Sequence, residues 1–506
     1  MKNSLNREIL EGYRPFKNSN DYLNHKSEYQ KINEKSQSSE VIFLKDIDDL
    51  FNNLIKDNMT ISFHHHLRNG DGVMNLIIDE LTKRNIKNIH LASSGIFPNN
   101  DISLIKAIEN ETITNITTNY LNGKSSELIG HNQLKGLIVL ETHGGRARSI
   151  ESGDLLIDLA IIAASCLDKK GNATGIIGKN ACGVLGYAIP DLHYAKKVVV
   201  ISDTLVDKLD DYEIDGNYVD YCLLVDSIGD SKGIISGTTN ITKDPVGLKI
   251  ARDATKLLLE LGVIKDGFSM QTGAGGTSLA VASYIKKEMI RLNVKGSFAS
   301  GGITSYFVDM LHEGLFDHLE DVQCFDLDAV KSSLADKNHL MMDASKYANP
   351  YYLPNPVVND LDLVVLGATE IDLGFNVNVV TDSFGKIIGG SGGHSDTANG
   401  AKITMITTSL IRARIPVIKE HVTTISTPGE DVDILVTDRG IAINPKRNDL
   451  IEKLKDSKLN IMPIEKLLDL AHSITGVPKK IELGDKIIGL VKYRDGTIID
   501  SIHNLK

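Results

Sequence analysis

The chain has 506 residues, 42% of them hydrophobic and 5% aromatic, with 43 glycines and no tryptophan, which is more than one core usually organises and predicts two domains of an α/β enzyme. Its formal charge of -11 argues against a sequence-independent grip on nucleic acid, which depends on basic side chains displacing counterions. Four cysteines without CxxC pairing speak against a zinc ribbon or a disulfide framework.

Residues 1–40 are polar and rich in Asn and Lys, with no apolar signal-peptide core; this extension is expected to pack loosely unless a partner covers it. No later segment is a long uncharged apolar run, so a cytoplasmic protein without a membrane partner is expected. From Val41 onward short β-branched runs alternate with helical patterns, which predicts parallel sheets flanked by helices.

His64-His65-His66 comes first among the chemistry-bearing segments, with Arg68 just after it. Adjacent strand residues point to opposite faces, so no metal site is expected; substrate orientation is, with Arg68 as a further cation or an ordinary loop arginine. Thr142-His143-Gly144-Gly145-Arg146-Ala147-Arg148 follows the apolar run GLIVLE, beyond the carboxyl end of a predicted strand, where open α/β sheets place ligands. Guanidinium forks there suit carboxylates; the competing reading is a surface bridge to Glu141 or Glu151.

A domain joint is expected near residues 236–248, after which PVGLKIARDATKLLLE reads as a helix behind a proline. Gln271-Thr272-Gly273-Ala274-Gly275-Gly276-Thr277-Ser278 then precedes an apolar helix pattern, and bare glycines there would let backbone N–H groups approach an anion. The loop lacks both the Gly-Lys-Ser/Thr of a nucleotide-binding P-loop and the dinucleotide spacing. Glu370 and Asp372 follow the run LDLVVL and share a face in extended chain; they read as an acid/base pair or as anchors of a neighbouring loop. Gly389-Gly390-Ser391-Gly392-Gly393-His394-Ser395-Asp396 is a second turn with little steric cover, open to close ligand approach or simply a bend.

Two pairs of segments repeat one order of elements. HHHLRNGDGVMNLIIDELTKRNIKNIHLASSGIF parallels QTGAGGTSLAVASYIKKEMIRLNVKGSFASGGIT, and LLIDLAIIAASCLDKKGNATGIIG parallels DLVVLGATEIDLGFNVNVVTDSFGKIIGG. An internal repeat predicts two related α/β domains, at residues 41–240 and 245–506.

The blocks THGGRARSIESGDL, QTGAGGTSLAVA, SFASGGITSYFVDMLHEGLFD, DVQCFDLDAV and LGATEIDLGFNVNV through GGSGGHSDTANGA resemble the citrate lyase alpha-subunit family across nearly the whole chain, within the wider CoA-transferase superfamily. The resemblance implies two CoA-transferase-like domains with the site between them. It also implies exchange of acetate for citrate on the acyl-carrier thioester, with a beta subunit that cleaves citryl thioester and a gamma carrier subunit as partners in a multi-subunit complex. The cofactor would be the carrier's CoA-like phosphopantetheine arm, bound but not carried, with acetyl-CoA as a surrogate.

Many superfamily relatives place a nucleophilic glutamate in a segment aligned here with Gly296–Gly302, which holds no carboxylate. Direct transfer in a ternary complex, without a glutamyl-enzyme, follows. The expected roles are Gly275, Gly276, Gly392, Gly393 and Glu370 in catalysis, Arg146, Arg148, His143 and Arg68 on citrate, and Gly273, Gly275, Gly276, Gly389, Gly390 and Gly392 on the carrier thioester. The alternatives are a CoA-ester hydrolase or a transferase for another acid, and a non-catalytic scaffold.

Overall fold

The buried apolar runs form the strands of two large sheets. Strands β1 to β8 are Ile42–Leu44, Thr60–Phe63, Ile89–Ser93, Ile113–Thr118, Ile138–Leu140, Leu159–Ala164, Lys197–Ser202 and Tyr221–Leu224. Strands β9 to β16 are Met270–Thr272, Gly296–Ile303, Phe316–Cys324, His339–Met341, Leu363–Leu366, Ile403–Thr407, Ile434–Val436 and Ile441–Ile443; β17 and β18 are Ile487–Lys492 and Ile498–His503. This computed structural model describes residues 1–38, 40–235, 241–273 and 275–506. Residues 236–240 of the expected joint, and Ala274 of the first glycine loop, lie outside the described residues.

The first sheet runs β1-β8-β7-β6-β2-β3-β4-β5-β17-β18 and the second β12-β11-β10-β9-β13-β14-β15-β16. Within them, β5-β4-β3-β2-β6-β7-β8 and β12-β11-β10-β9-β13-β14-β15 are parallel throughout and follow one order, each starting in the middle and building outward both ways. The likeness reaches small elements. Cys166–Asp168 pairs antiparallel with Ala173–Thr174 and parallel with Leu205–Val206; Glu370–Asp372 pairs antiparallel with Val377–Asn378 and parallel with Ile418–Lys419. Asp168 accepts from the backbone N–H groups of Lys170, Asn172 and Leu209, and Asp372 from those of Gly374, Asn376 and Val422.

Local chemistry accounts for the helices. In Pro245–Glu260 the Asp244 carboxylate accepts from Gly247 N–H, proline stands in the first turn, and Ile250, Ala251, Ala254, Leu257 and Leu258 form the buried stripe. Helix Gly276–Leu292 ends at Asn293 with φ of 53°, a left-handed cap that Asn tolerates. The six residues of β6, LAIIAA, are buried on both faces, as a central parallel strand requires.

Two expectations are corrected. The polar extension is not loose: Ile9, Phe16 and Tyr22 are buried, Phe16 N–H donates to Ile498 O (3.0 Å), and its ring meets Tyr493 edge-on at 5.0 Å. Its few apolar residues are enough because the C-terminal hairpin supplies a matching surface. That hairpin, inside the segment assigned to the second domain, instead extends the first sheet, β17 pairing with β5. The chain therefore crosses back to the first half before it ends. Among the described residues, no helix is long and apolar enough to cross a membrane.

Candidate active site

The carboxyl ends of strands from both sheets face one another. Beyond β2 the three histidines separate as alternation demands: His64 Nε2 accepts from Ala163 N–H (3.0 Å) and His66 lies beside it at 4.9 Å between ring centroids. His65 points the other way. Its Nδ1 lies 2.6 Å from Ser94 Oγ, and its ring stacks on Tyr187 at 4.9 Å and on His143 at 6.0 Å. From the second sheet, Gln323 near the end of β11 donates to His65 O (2.6 Å), and Gln271 in β9 donates to the Tyr347 hydroxyl (2.7 Å).

The second glycine loop closes this cleft. His143 N–H donates to Gly392 O (2.8 Å), and a Cβ on Gly393 would stand 2.7 Å from the Tyr347 hydroxyl and 3.6 Å from His143 Cδ2. Glycine is required there by packing. Gly273 and Gly275 differ: among the described residues an added Cβ would meet nothing nearer than 3.8 and 3.7 Å. Space beside bare backbone at a helix N-terminus is what an approaching acyl or phosphate group needs. Gly273→Ala is therefore expected to change stability by less than about 0.5 kcal/mol while lowering transfer from the carrier thioester; thermal melts paired with rates check this.

Five buried side-chain atoms around the cleft, Asn119 Oδ1, His143 Nδ1, Gln271 Oε1, Gln323 Oε1 and Ser391 Oγ, have no hydrogen-bond partner among the described residues. Buried polar atoms are seldom left so, and their convergence from both halves marks a place for a hydrogen-bonding ligand. Two surface cavities, about 770 Å³ beside residues 32–38 and about 750 Å³ around Lys419, are lined by none of these residues.

Burial lowers the pKa values of His64 and His65 well below the usual range, and that of His143 to about 3, with Arg146 adding to the effect in each. His394, bonded to Thr427 Oγ1 and Gly367 O, falls to about 4 by burial. All four are neutral at pH 7. Arg68, with φ of 52°, lies over the Phe325 ring at 4.3 Å; burial lowers its pKa, opposed by Tyr120 and Tyr187. It brings positive charge beside Tyr187.

Several expected site residues are held by partners within the protein. Arg146 forms a bidentate pair with Asp191 (2.9 and 2.9 Å) and donates to Ser62 Oγ (2.8 Å) and Ala92 O (3.2 Å). Arg148 is held by Asp154 (2.7 Å) and Ser149 (2.8 Å). Both point back into the first half, so neither fork is open to a substrate carboxylate. The N-terminus of helix His143–Glu151 holds the protein's own Asp396: its carboxylate accepts from Gly144 N–H (2.9 Å) and Thr142 Oγ1 (2.8 Å).

Glu370 accepts from Asn378 Nδ2 (3.0 Å), Ser383 Oγ (2.6 Å), Thr423 N–H (2.8 Å) and Thr423 Oγ1 (3.2 Å). These contacts tie it to the loops around residues 378–383 and 423. At Gly390 a Cβ would overlap Asn119 O at 2.1 Å, and at Gly389 it would come within 2.6 Å of Val379 O, so Gly390 serves close packing between halves and Gly389 close packing within the second. Of the expected site residues, His143, Gly392 and Gly393 meet at the cleft.

Tyr187, Tyr347, Gln323 and Asn119 carried no sequence signal, because each reaches the cleft through long-range packing. Asp321, Cys324 and His339 bring three ligand-type atoms together, but those atoms already bond one another: Cys324 Sγ donates to Asp321 Oδ2 (3.1 Å), which lies 3.0 Å from His339 Nε2. This cluster ties β11 to β12.

The family profile described as "Citrate lyase, alpha subunit (CitF)" matches residues 43–505. The chain belongs to the citrate lyase alpha-subunit family. It is thus an enzyme of the CoA-transferase and citrate lyase alpha type, as the sequence blocks implied. Citrate lyase alpha chains from Haemophilus influenzae and Klebsiella pneumoniae are each 43% identical, over 89% of this chain and 90% and 89% of theirs. A solved citrate lyase alpha subunit of Streptococcus mutans, in complex with citrate, superposes with a TM-score of 0.92 at 42% identity, covering both chains fully. A malonate decarboxylase alpha subunit of Acinetobacter baumannii shares the fold at 14% identity, with a TM-score of 0.63 over 91% of this chain and 95% of that one.

Proposed function

We propose that the chain exchanges acetate for citrate on the thioester of an acyl-carrier subunit, by direct transfer within a ternary complex in the cleft between its halves. A citrate carboxylate oxygen attacks the acetyl thioester carbon and the carrier thiolate leaves. The thiolate then attacks the citryl carbonyl of the mixed anhydride, and acetate departs. Each bond broken is matched by one of its kind formed, so no nucleotide is consumed.

Citrate would sit against Arg68, His143, Tyr187 and the amide side chains of Gln271, Gln323 and Asn119, and the arm beside Gly273, Gly275 and Gly276. Neutral His143, whose Nδ1 has no partner among the described residues, can donate to a developing oxyanion, and the amide oxygens of Asn119, Gln271 and Gln323 can accept from the citrate hydroxyl. The halves are read as one repeated CoA-transferase-like unit, which the shared order of seven strands and the matched Asp168 and Asp372 turns support. A lyase beta subunit and a gamma carrier complete the assembly in this reading.

The observation that carries direct transfer is the state of the carboxylates. β10 has none, Glu370 and Asp396 are engaged as described above, and Glu141 is held through Oε1 by Ser149 (2.7 Å) and Lys492 (2.8 Å). Incubation with acetyl-CoA followed by intact-mass measurement is expected to leave the protein mass unchanged, with or without hydroxylamine. An acylated or hydroxylamine-labelled glutamate would overturn the direct route.

A further inference from the structure

The two halves of the cleft are joined at one carboxylate. Asp396 follows the second glycine loop, yet its oxygens accept from Gly144 N–H (2.9 Å) and Thr142 Oγ1 (2.8 Å), the first turn of the helix that carries His143. Arg494, fully buried, reaches it from the C-terminal hairpin, with Nε 3.6 Å from Asp396 Oδ1. The same guanidinium donates to Asn399 Oδ1 (2.7 Å) and to Ala348 O (3.0 Å), one residue from Tyr347. A backbone bridge between Thr142 and Gly392 runs alongside.

We propose that Asp396 is a positioning residue for transfer: it locks His143 against Gly392 and Gly393, so that the parts of the cleft contributed by the two halves hold one register. This rests on the transferase reading. The carboxylate touches no reacting atom; it acts through the helix N-terminus, where its negative charge satisfies the orphan Gly144 N–H and the Thr142 hydroxyl and meets the positive end of the dipole. Its charge is what makes the lock work, because the neutral acid loses its attraction for Arg494 and turns one acceptor oxygen into a donor.

The groups facing Asp396 are Arg494 from the hairpin, neutral His143 and the Thr142 hydroxyl from the first half, Tyr347 from the helix Ala344–Ala348, and Tyr187. His394, on its own helix, is neutral. Burial, partly offset by Arg494 and these hydrogen bonds, raises Asp396 to about 6. The lock is therefore charged at pH 7.5 and loses its charge as the pH falls through 6.

The test compares wild type with Asp396→Asn, which keeps the shape, and Asp396→Glu, which keeps the charge. The complete complex is used, following citrate-dependent acetate release between pH 5 and 8. Expected are an acid limb near pH 6 in the wild type, a kcat lowered on the order of 10²-fold in Asp396→Asn with no such limb, KM for the thioester within about twofold, and partial return in Asp396→Glu. A wild-type-like kcat and acid limb in Asp396→Asn would overturn the proposal. Amide exchange of residues 141–150, at pH 5.5 and 7.5 and corrected for intrinsic rates, decides it without turnover. Faster exchange at the lower pH in the wild type supports the lock, and equal exchange overturns it. A wild type that shows no citrate-dependent exchange would refute the transferase reading alone, since the amide measurement still reports on Asp396.

Discussion

Arg146→Ala is expected to destabilise the fold by about 3–5 kcal/mol, because it leaves the buried Asp191 carboxylate without its guanidinium. Arg146 and Asp191 side chains are each 3% exposed, so water cannot replace the lost pair. Arg146→Lys should recover little, since one ammonium cannot reproduce a bidentate fork that also serves Ser62 and Ala92 O. Urea denaturation measures this directly. An unchanged midpoint with lost citrate dependence would return Arg146 to the substrate.

Gly393→Ala is expected to act in the opposite way, with a modest loss of stability and a fall in transfer on the order of 10²-fold. The new methyl would stand 2.7 Å from the Tyr347 hydroxyl, closer than any real Cβ contact, and must push the phenol off Gln271 or the loop off His143. Both groups line the cleft, so a displacement of less than 1 Å spoils the alignment of two bound reactants. Rates under saturating citrate and acetyl-carrier, set beside a thermal melt, separate this from unfolding. A variant with wild-type kcat would place the chemistry away from Gly393.

The architecture was legible where local pattern decides it. The β-branched runs and the proline-led helix at residue 245 stand where periodicity put them. The site was legible only in part. His143 and the second glycine loop were found because a strand end and bare backbone leave marks in sequence.

Arg146 turns inward for a physical reason: a guanidinium beyond a strand end can find a buried carboxylate, and nothing in THGGRAR announces Asp191, 45 positions from Arg146 along the chain. The converse held for Asp396, whose partners lie some 250 residues earlier. A buried ion pair leaves no local spacing to read. The hairpin at residues 487–503 hid likewise, because strand patterning says nothing of which sheet a strand joins.

The most direct test of the account is acetate release together with citryl-thioester formation, on mixing the chain with citrate and the acetylated carrier, or acetyl-CoA in its place. The account predicts that acetate appears only when citrate is present, in equal amount to citryl thioester. Acetate released at the same rate without citrate would make the chain a thioester hydrolase, and no release with either thioester would leave it a scaffold; both results contradict transfer in this cleft.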